Sequence, residues 1–276
     1  MLDNNIVGLY WVPGLPHILS PESNKGYKSI NDGMRQVAQS IRAQGAERII
    51  YYSTAWISVL GTSFQSKRHL EGMHVDENWH DFKDLPFKFT IDQGLSKALQ
   101  KTCKAAGNAT SSIDFDGFPV DTGTIVADTL VNPDNLETTM VSSNVYLDFE
   151  ATCKLGQACA AGIAEHGKKT AVVLVSGFSG RFFTNDIDLR EDHIRTPEDD
   201  AWNKKMLEFL QNKSYQKFED AIPEFAKATK ADMGLKAWAF GRGILNKDIS
   251  KVSPRQHAYG SIYGTGAAVL EFTKTD

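Results

Sequence analysis

Apolar residues occur along the chain in two patterns, short continuous runs and stretches with a helical repeat. The run NIVGLYWV ends at Pro13-Gly14 and predicts a first strand, and RIIYYS predicts a second strand rich in β-branched and aromatic residues. Between them lies a segment with helical spacing that ends at Gly45. Its repeating residues are Ile30, Met34, Val37 and Ile41. A strand, a helix and another strand in this order favour a parallel sheet covered by helices.

The rest of the chain continues this alternation. Thr90 and Gln93 have the spacing of a capping box and predict a helix start. The polar stretch 107–135 predicts short strands, and a helix is expected over 149–165, ending near Gly167. TAVVLVSG predicts a central strand and AAVLEF the last one. Three helical segments are expected between them, at 199–211, 215–230 and 233–245.

These elements predict an α/β fold, a three-layer sandwich with a mostly parallel or mixed central sheet between helices. No repeat or low-complexity linker divides the chain, so residues 1–276 are expected to form one domain. Ligands of open α/β sheets bind beyond the carboxyl ends of the strands. We therefore expect a site at the loops 13–20, 53–63, 117–124 and 176–182, with the helix 233–245 facing it.

Composition and charge exclude some kinds of function for this chain. The chain has 276 residues and a formal charge of -4, which lacks the basic excess expected of a nucleic-acid-binding protein. No apolar run approaches the ~20 residues of a membrane span. The N-terminus lacks the cationic region and cleavage site of a secretion signal, and three cysteines without close spacing suggest reduced thiols. These features predict a cytoplasmic protein.

The loop sequences resemble a known enzyme family. The segments VPGLPHI, YYSTAW, PVDTGT, SGFSGR, KAWAFGRGIL and YGTGAAVLEF occur in this order over nearly the whole chain. Together they resemble the class III (type II) extradiol ring-cleavage dioxygenases, the superfamily of protocatechuate 4,5-dioxygenase. The resemblance implies the fold above and a chemistry that needs Fe(II) held by two histidines and one glutamate.

The resemblance assigns five positions of such a site, and only one of them keeps its residue type. His17 matches the first histidine ligand, but Ala55 stands at the second and Gly234 at the glutamate, four residues before Trp238. Thr122 replaces the histidine that acts as acid and base, and a threonine hydroxyl does not titrate near neutral pH. Gly180 replaces the remaining histidine. We therefore predict a vestigial site with no catalytic residue and no metal in this chain.

Within the family, the pattern resembles the α subunit of enzymes that open the ring of 2-aminophenols. The resemblance implies a homologous catalytic β subunit that holds Fe(II), substrate and O2, an α2β2 assembly, and a structural or stabilising role for this chain. Two alternatives stay open. A stand-alone enzyme would rebuild a metal site from His17 with Thr62, Asp121 or other acids. A non-enzymatic module would bind an aromatic ligand in the cleft.

Other segments have simpler interpretations. HLEGMHVDENWH carries His69, His74 and His80, and its spacing predicts a polar excursion or a subunit contact rather than a metal site. Ser179 lies in a loose variant of the nucleophile turn without the order that a hydrolase triad needs. Glu271 is expected at a strand edge or an interface. REDHIRTPEDD is expected to be a solvated segment.

Overall fold

The computed structural model describes residues 5–75, 84–180 and 186–274. The strands are β1 (Ile6–Val12), β2 (Arg48–Ser58), β3 (Thr62–Gln65), β4 (His69–His74), β5 (Leu85–Thr90), β6 (Thr110–Ile113), β7 (Glu137–Asn144), β8 (Thr170–Val175), β9 (Val252–Ile262) and β10 (Thr265–Lys274). The α-helices are α1 (Lys25–Ala43), α2 (Gln93–Ala105), α3 (Thr122–Val131), α4 (Phe149–His166), α5 (Pro197–Gln211), α6 (Tyr215–Thr229) and α7 (Lys236–Leu245). Short 3-10 helices cover Pro16–Leu19, Leu189–Glu191, Asp232–Leu235 and Asn246–Lys251.

Eight strands form one mixed sheet in the order β6-β3-β7-β2-β8-β1-β10-β9. The middle strands β7, β2, β8 and β1 are parallel, and β10 and β9 extend the sheet as an antiparallel pair. The strands β4 and β5 form a separate hairpin. The parallel centre brings the carboxyl ends of β1, β2 and β8 to one edge of the sheet, where a ligand cleft is expected.

Helices cover both faces of the sheet, and each face has its own buried cluster. The helices α2, α4 and α7 contribute to one cluster, and α1 and α3 contribute to the other. Because both faces are buried, the central strands are continuous apolar runs; all seven residues of β1 are buried, as are all six of β8. The predicted α/β class with a mixed central sheet is confirmed. The grouping of the chain into one domain stays a prediction.

Three of the helices that cover the sheet have an aspartate as their N-cap. The carboxylates of Asp92, Asp121 and Asp148 accept hydrogen bonds from the backbone N–H groups of Leu95, Thr124 and Ala151. The predicted capping box of Thr90 and Gln93 is therefore wrong, because α2 is capped by the aspartate between them. None of the helices in the described ranges is long and apolar enough to cross a membrane.

Two other predictions about elements need correction. The stretch 107–135 was expected to hold short strands only, but it contains β6 followed by α3. Seven residues of α3 are buried, so its sequence lacks the polar face that marks an amphipathic helix. The helix expected at 233–245 begins at Lys236, because Met233, Gly234 and Leu235 have φ values of 45°, 63° and 58°.

Candidate functional site

A cleft of about 230 Å³ lies at the carboxyl ends of the central strands. It forms where the loops after β1, β2 and β8 meet the start of α3 and the turn before α7. These are the loops that the sequence analysis selected. The lining residues are Gly14, Leu15, Thr54, Ala55, Thr122, Gly123, Val175, Ser176, Gly177 and Asp232. Asp232 is the one ionisable side chain in this lining.

The carboxylate of Asp232 ties the ends of two strands together. Its Oδ2 accepts hydrogen bonds from Thr54 Oγ1 at 2.8 Å, Ser176 Oγ at 2.9 Å and the backbone N–H of Gly177 at 2.8 Å. Thr54 lies in β2, and Ser176 and Gly177 directly follow β8. The hydroxyl groups of Thr54 and Ser176 therefore stabilise the cleft wall rather than point to a ligand.

A second aspartate, Asp121, holds the start of α3 against β2. Its carboxylate accepts hydrogen bonds from Ser53 Oγ at 2.7 Å, the backbone N–H of Thr124 at 2.9 Å and Thr124 Oγ1 at 2.6 Å. This cap places Thr122 in the first turn of α3 and on the cleft wall. Asp121 thus has a structural role in the arrangement, whatever ligand the cleft accepts.

Thr122 makes a contact that the sequence did not indicate. Its hydroxyl lies 2.7 Å from Nε2 of His74, in a hydrogen bond whose direction depends on the histidine tautomer. His74 belongs to β4, so residues 69–74 form a strand of the separate hairpin rather than a loop. His80 lies outside the described residues. An imidazole therefore lies beside Thr122, the position that the resemblance assigns to the acid and base, but it comes from a different segment.

His17 is buried in an aromatic environment rather than exposed in the cleft. Its ring lies 4.8 Å from that of Tyr263 and 6.0 Å from that of Tyr27, between centroids. Burial lowers the pKa of His17 to about 4, because the protonated ring would lose its hydration. His17 is absent from the described lining of the cleft. Of the five resemblance positions, only Ala55 and Thr122 line the cleft.

Asp192 holds the two tyrosines that enclose His17. Its carboxylate accepts hydrogen bonds from the hydroxyl of Tyr27 at 2.8 Å and from the backbone N–H groups of Tyr263 and Gly264 at 2.7 Å. Asp192 is buried, so the expectation of a solvated segment over 190–200 is wrong at this residue. Asp192 is one of several acids in a charged run, so the sequence did not indicate that it binds Tyr27 and the turn at Tyr263.

The two glycine positions lie beside Asp232. A Cβ added at Gly180 would lie 2.7 Å from the carbonyl oxygen of Lys230 and 3.4 Å from the backbone nitrogen of Asp232. Gly234 follows Asp232 in the same 3-10 turn and has a left-handed φ of 63°. A glutamate at this position would have to adopt a backbone conformation that L-residues rarely take.

The donor set does not fit the iron site of the family. Ala55 and Gly234 carry no donor atom, and His17 is enclosed by tyrosines. Within the described ranges, no three side chains of His, Cys, Asp or Glu are arranged to hold a metal ion. The residues present do not support iron chemistry in this chain, and its lack of a metal stays a prediction.

The remaining candidate residues, Ser179 and Glu271, are held by hydrogen bonds within the fold. Ser179 Oγ is buried and accepts hydrogen bonds from Asn203 Nδ2 and the backbone N–H of Gly266, both at 2.9 Å. Glu271 lies in β10, inside the sheet and not at its edge, and pairs with His257 at 2.7 Å. Burial raises the pKa of Glu271, but hydrogen bonds from His257, Ser40 and Thr273 outweigh this and hold it below its usual value.

The cysteines are free thiols, as expected. Cys103 and Cys159 are buried between α2 and α4 with their sulfur atoms 3.6 Å apart. Burial raises the pKa of Cys159, which disfavours the reactive thiolate. Thr62 is buried in β3 and is not part of the described cleft lining, so it does not join His17 and Asp121 at one site.

Comparison with known proteins decides the family. The sequence profile described as "Catalytic LigB subunit of aromatic ring-opening dioxygenase" matches residues 8–272. The chain belongs to this family. It is similar to the 2-aminophenol 1,6-dioxygenase alpha subunit of Pseudomonas sp, with 36% identity over 97% of this chain and 99% of the relative. It is also similar to the beta subunit of that name, with 23% identity over 99% of this chain and 95% of the relative.

A solved structure supports the fold of this LigB family member. The crystal structure of an uncharacterized protein from Escherichia coli K12 superposes with a TM-score of 0.65, covering 96% of this chain and 99% of that chain. The two sequences are 10% identical, so the likeness shows the fold alone. The family resemblance predicted from the loop motifs is confirmed.

Proposed function

We propose that this chain is the alpha-type, non-catalytic subunit of a heteromeric extradiol dioxygenase that opens the ring of 2-aminophenol or a substituted relative. The proposal is carried by the residues Ala55, Thr122, Gly180 and Gly234, which stand at four positions that the resemblance assigns to ligand and acid-base residues, in a chain of this family. The likeness to a curated alpha subunit over nearly the whole of both chains supports the same conclusion.

In this proposal, the catalytic steps belong to a homologous beta-type chain. That chain binds Fe(II), the aminophenol and O2, and both oxygen atoms enter the opened product. This chain binds the catalytic one and stabilises its folded state by mass action, since binding to the native state alone favours that state. An α2β2 assembly is the stoichiometry that we propose.

Loss of the site is compatible with retention of the fold because different residues support the two. The cleft walls are held by Asp232 and Asp121, which accept hydrogen bonds from backbone and hydroxyl groups at the strand ends. These bonds need no metal ion. The buried clusters on the two sheet faces include none of Ala55, Thr122, Gly180 and Gly234.

Separate and joint expression tests the proposal. The chain is purified alone and together with the beta-type homologue of its source organism, and iron per chain and cleavage of 2-aminophenol are measured in each sample. We expect neither iron nor activity in this chain alone, and both in the complex. Stoichiometric iron and ring opening by the isolated chain would support the stand-alone enzyme instead.

A substitution at the retained histidine sharpens the test. His17→Ala should leave the turnover of the assembled complex nearly unchanged, because the ring is enclosed by Tyr27 and Tyr263. Turnover is normalised to the amount of intact complex, so that a loss of folding is not counted as a loss of chemistry. A hundredfold decrease would show a working site in this chain.

A further inference from the structure

Large apolar side chains are exposed in one region of the described structure. We call them the apolar rim: Ile57, Val59, Leu60, Met73, Val75, Phe115 and Tyr146. Leu60 is 93% exposed and Tyr146 is 79% exposed. Side chains of this size are common in protein interiors, and single exposed examples need no explanation. Their grouping at one end of the molecule does need one.

One half of the apolar rim lies at the turn between β2 and β3. Ile57 ends the apolar part of β2, and Val59 and Leu60 form the turn that follows. The backbone N–H of Val145 donates to the carbonyl of Ser58 at 3.0 Å, which places Tyr146 beside this turn. The turn is therefore fixed to the end of β7 and presents its side chains on a defined backbone.

The other half lines a larger cavity, of about 450 Å³, next to the hairpin β4–β5. Met73, Val75 and Phe115 all contribute to its wall. Two aromatic contacts connect the halves: Trp56 lies 5.8 Å from Phe118, and Phe118 lies 5.2 Å from Phe115, between ring centroids. Trp56 and Ile57 are consecutive residues of β2 and point to opposite faces, so the two halves lie at the same end of this strand and Trp56 links that end to the cavity wall.

The apolar rim borders the cleft of the vestigial site. His74 lines the larger cavity together with Met73 and Val75, and its ring contacts Thr122 on the cleft wall. A protein that covers the rim would therefore also cover the mouth of the cleft.

The size of the rim is that of a protein interface. With about 200 Å² for a fully exposed large side chain, the exposed fractions of the seven residues correspond to about 900 Å². The largest apolar patch of a typical monomer is about 300–600 Å². A stable interface buries about 800 Å² on each partner. The exposed apolar area is therefore in the range that one side of a protein interface buries.

We propose that the apolar rim is the docking surface for the catalytic, beta-type chain of the same family. The inference rests on the function proposed above, because both subunits of the related dioxygenase match this chain over nearly their whole length. The charged groups along the cavity are already paired within the chain, Lys67 with Asp116 and Lys88 with Glu71. The matching surface of the partner is therefore apolar rather than strongly charged.

The test compares aspartate substitutions inside and outside the rim. Leu60→Asp and Tyr146→Asp place a charge in the proposed interface, where desolvation would be unfavourable. Ala161→Asp is the matched control, because Ala161 is exposed on α4 and lies away from the rim. It is twelve residues, or about 18 Å, along the helix from Phe149, the first residue of α4, which closely follows Tyr146 in the chain. Dissociation constants are measured with the purified beta-type homologue of the source organism, and melting temperatures verify that each variant folds.

We expect both rim variants to raise the dissociation constant at least tenfold and the control to change it less than twofold. Wild-type affinity in both folded rim variants would overturn the assignment of the rim as the docking surface. If the complex with the beta-type homologue were still active in that case, the proposed function would stand. Failure of the wild-type chain to bind or assist the beta-type homologue would refute the proposed function itself. A dimer of this chain alone, broken by Leu60→Asp, would assign the rim to a second copy and overturn the inference.

Discussion

The contact between α4 and α7 and the cleft at the strand ends both depend on residues with small side chains, but for different reasons. A Cβ added at Gly156 would lie 2.2 Å from the carbonyl oxygen of Phe240, and one at Gly243 would lie 2.0 Å from that of Cys153. In the cleft, Ala55 is exposed, and at Gly234, in the turn that follows Asp232, an added Cβ would meet nothing within 4 Å. Space forbids larger side chains at the helix contact and permits them at these two positions.

This difference separates the constraints of the fold from those of the chemistry. At the helix contact, glycine lets two backbones approach, so the layer of helices on that sheet face depends on it. In the cleft, nothing in the packing demands alanine at position 55. Small residues there are compatible with the fold, and under the proposed function they also account for the missing ligand donors. A site can therefore be lost while the core stays unchanged.

The largest effect is expected for Gly243→Ala. The added methyl group would collide with the backbone of α4, which cannot move away as a flexible side chain can. Overpacking typically costs about 1–3 kcal/mol, and because this collision is with backbone the free energy of unfolding should fall by about 3 kcal/mol. Urea denaturation monitored by circular dichroism measures the change.

Ala55→His is the matched comparison from the cleft, since it adds a much larger group at an exposed position. Its free energy of unfolding should stay within about 0.5 kcal/mol of wild type. A loss at Ala55 as large as that at Gly243 would contradict the separation of packing and chemistry. Gly260→Ala controls for glycine replacement itself, because its added Cβ makes only ordinary contacts, with Ile30 at 3.7 Å and Gly26 at 3.9 Å.

The fold could be predicted from the sequence where packing follows a simple period. The buried runs of β1 and β8 have no polar face to confuse their assignment, and Gly167 ends α4 in a left-handed conformation with a φ of 81°. The helix α3 and the edge strand β9 were missed. Helix α3 is buried over most of its length and lacks a polar face, and β9 has four buried residues among eleven, so neither shows the apolar spacing that marks its element.

The candidate site could be predicted by position but not by its contacts. The loops beyond the strand ends were identified correctly because parallel strands share one carboxyl edge. Asp232, which accepts three hydrogen bonds there, was missed. Its only sequence signal is an acid shortly before a helix, and such acids are common. Enclosure of His17 by Tyr263 joins residues 246 positions apart, and no local pattern encodes that.

The second-largest expected effect is a pH dependence of the free energy of unfolding, which originates at His17. The pKa of this buried histidine is lowered from 6.5 to about 4, so the unfolded chain binds the proton more tightly than the folded chain. Stability is therefore complete above about pH 6.5 and falls as the pH decreases toward 4. Between pH 8 and pH 5, the loss due to this residue should be about 2 kcal/mol. Urea denaturation at both pH values measures it.

His17→Gln removes the titrating group and should remove that part of the loss. The comparison uses the difference between the two pH values within each variant, so a constant cost of the substitution cancels. His193→Gln is the control, since His193 is exposed and its replacement should leave the pH dependence as it is in the wild type. Equal pH dependence in wild type and His17→Gln would show that His17 is not enclosed as the structure places it.

The smallest of the three effects is expected for Asp232→Ala, and it tests what holds the cleft together. Removing the carboxylate leaves Thr54 Oγ1, Ser176 Oγ and the N–H of Gly177 without this shared acceptor. Asp232 lines an open cleft, so water can replace part of the loss, and we expect unfolding to become easier by about 1 to 2 kcal/mol. Asp220→Ala, which removes an exposed carboxylate with one hydrogen bond from Gln216, should change stability by less than about 0.5 kcal/mol. If the two variants unfold at the same urea concentration, the ends of β2 and β8 do not need Asp232, and the cleft is held by the sheet alone.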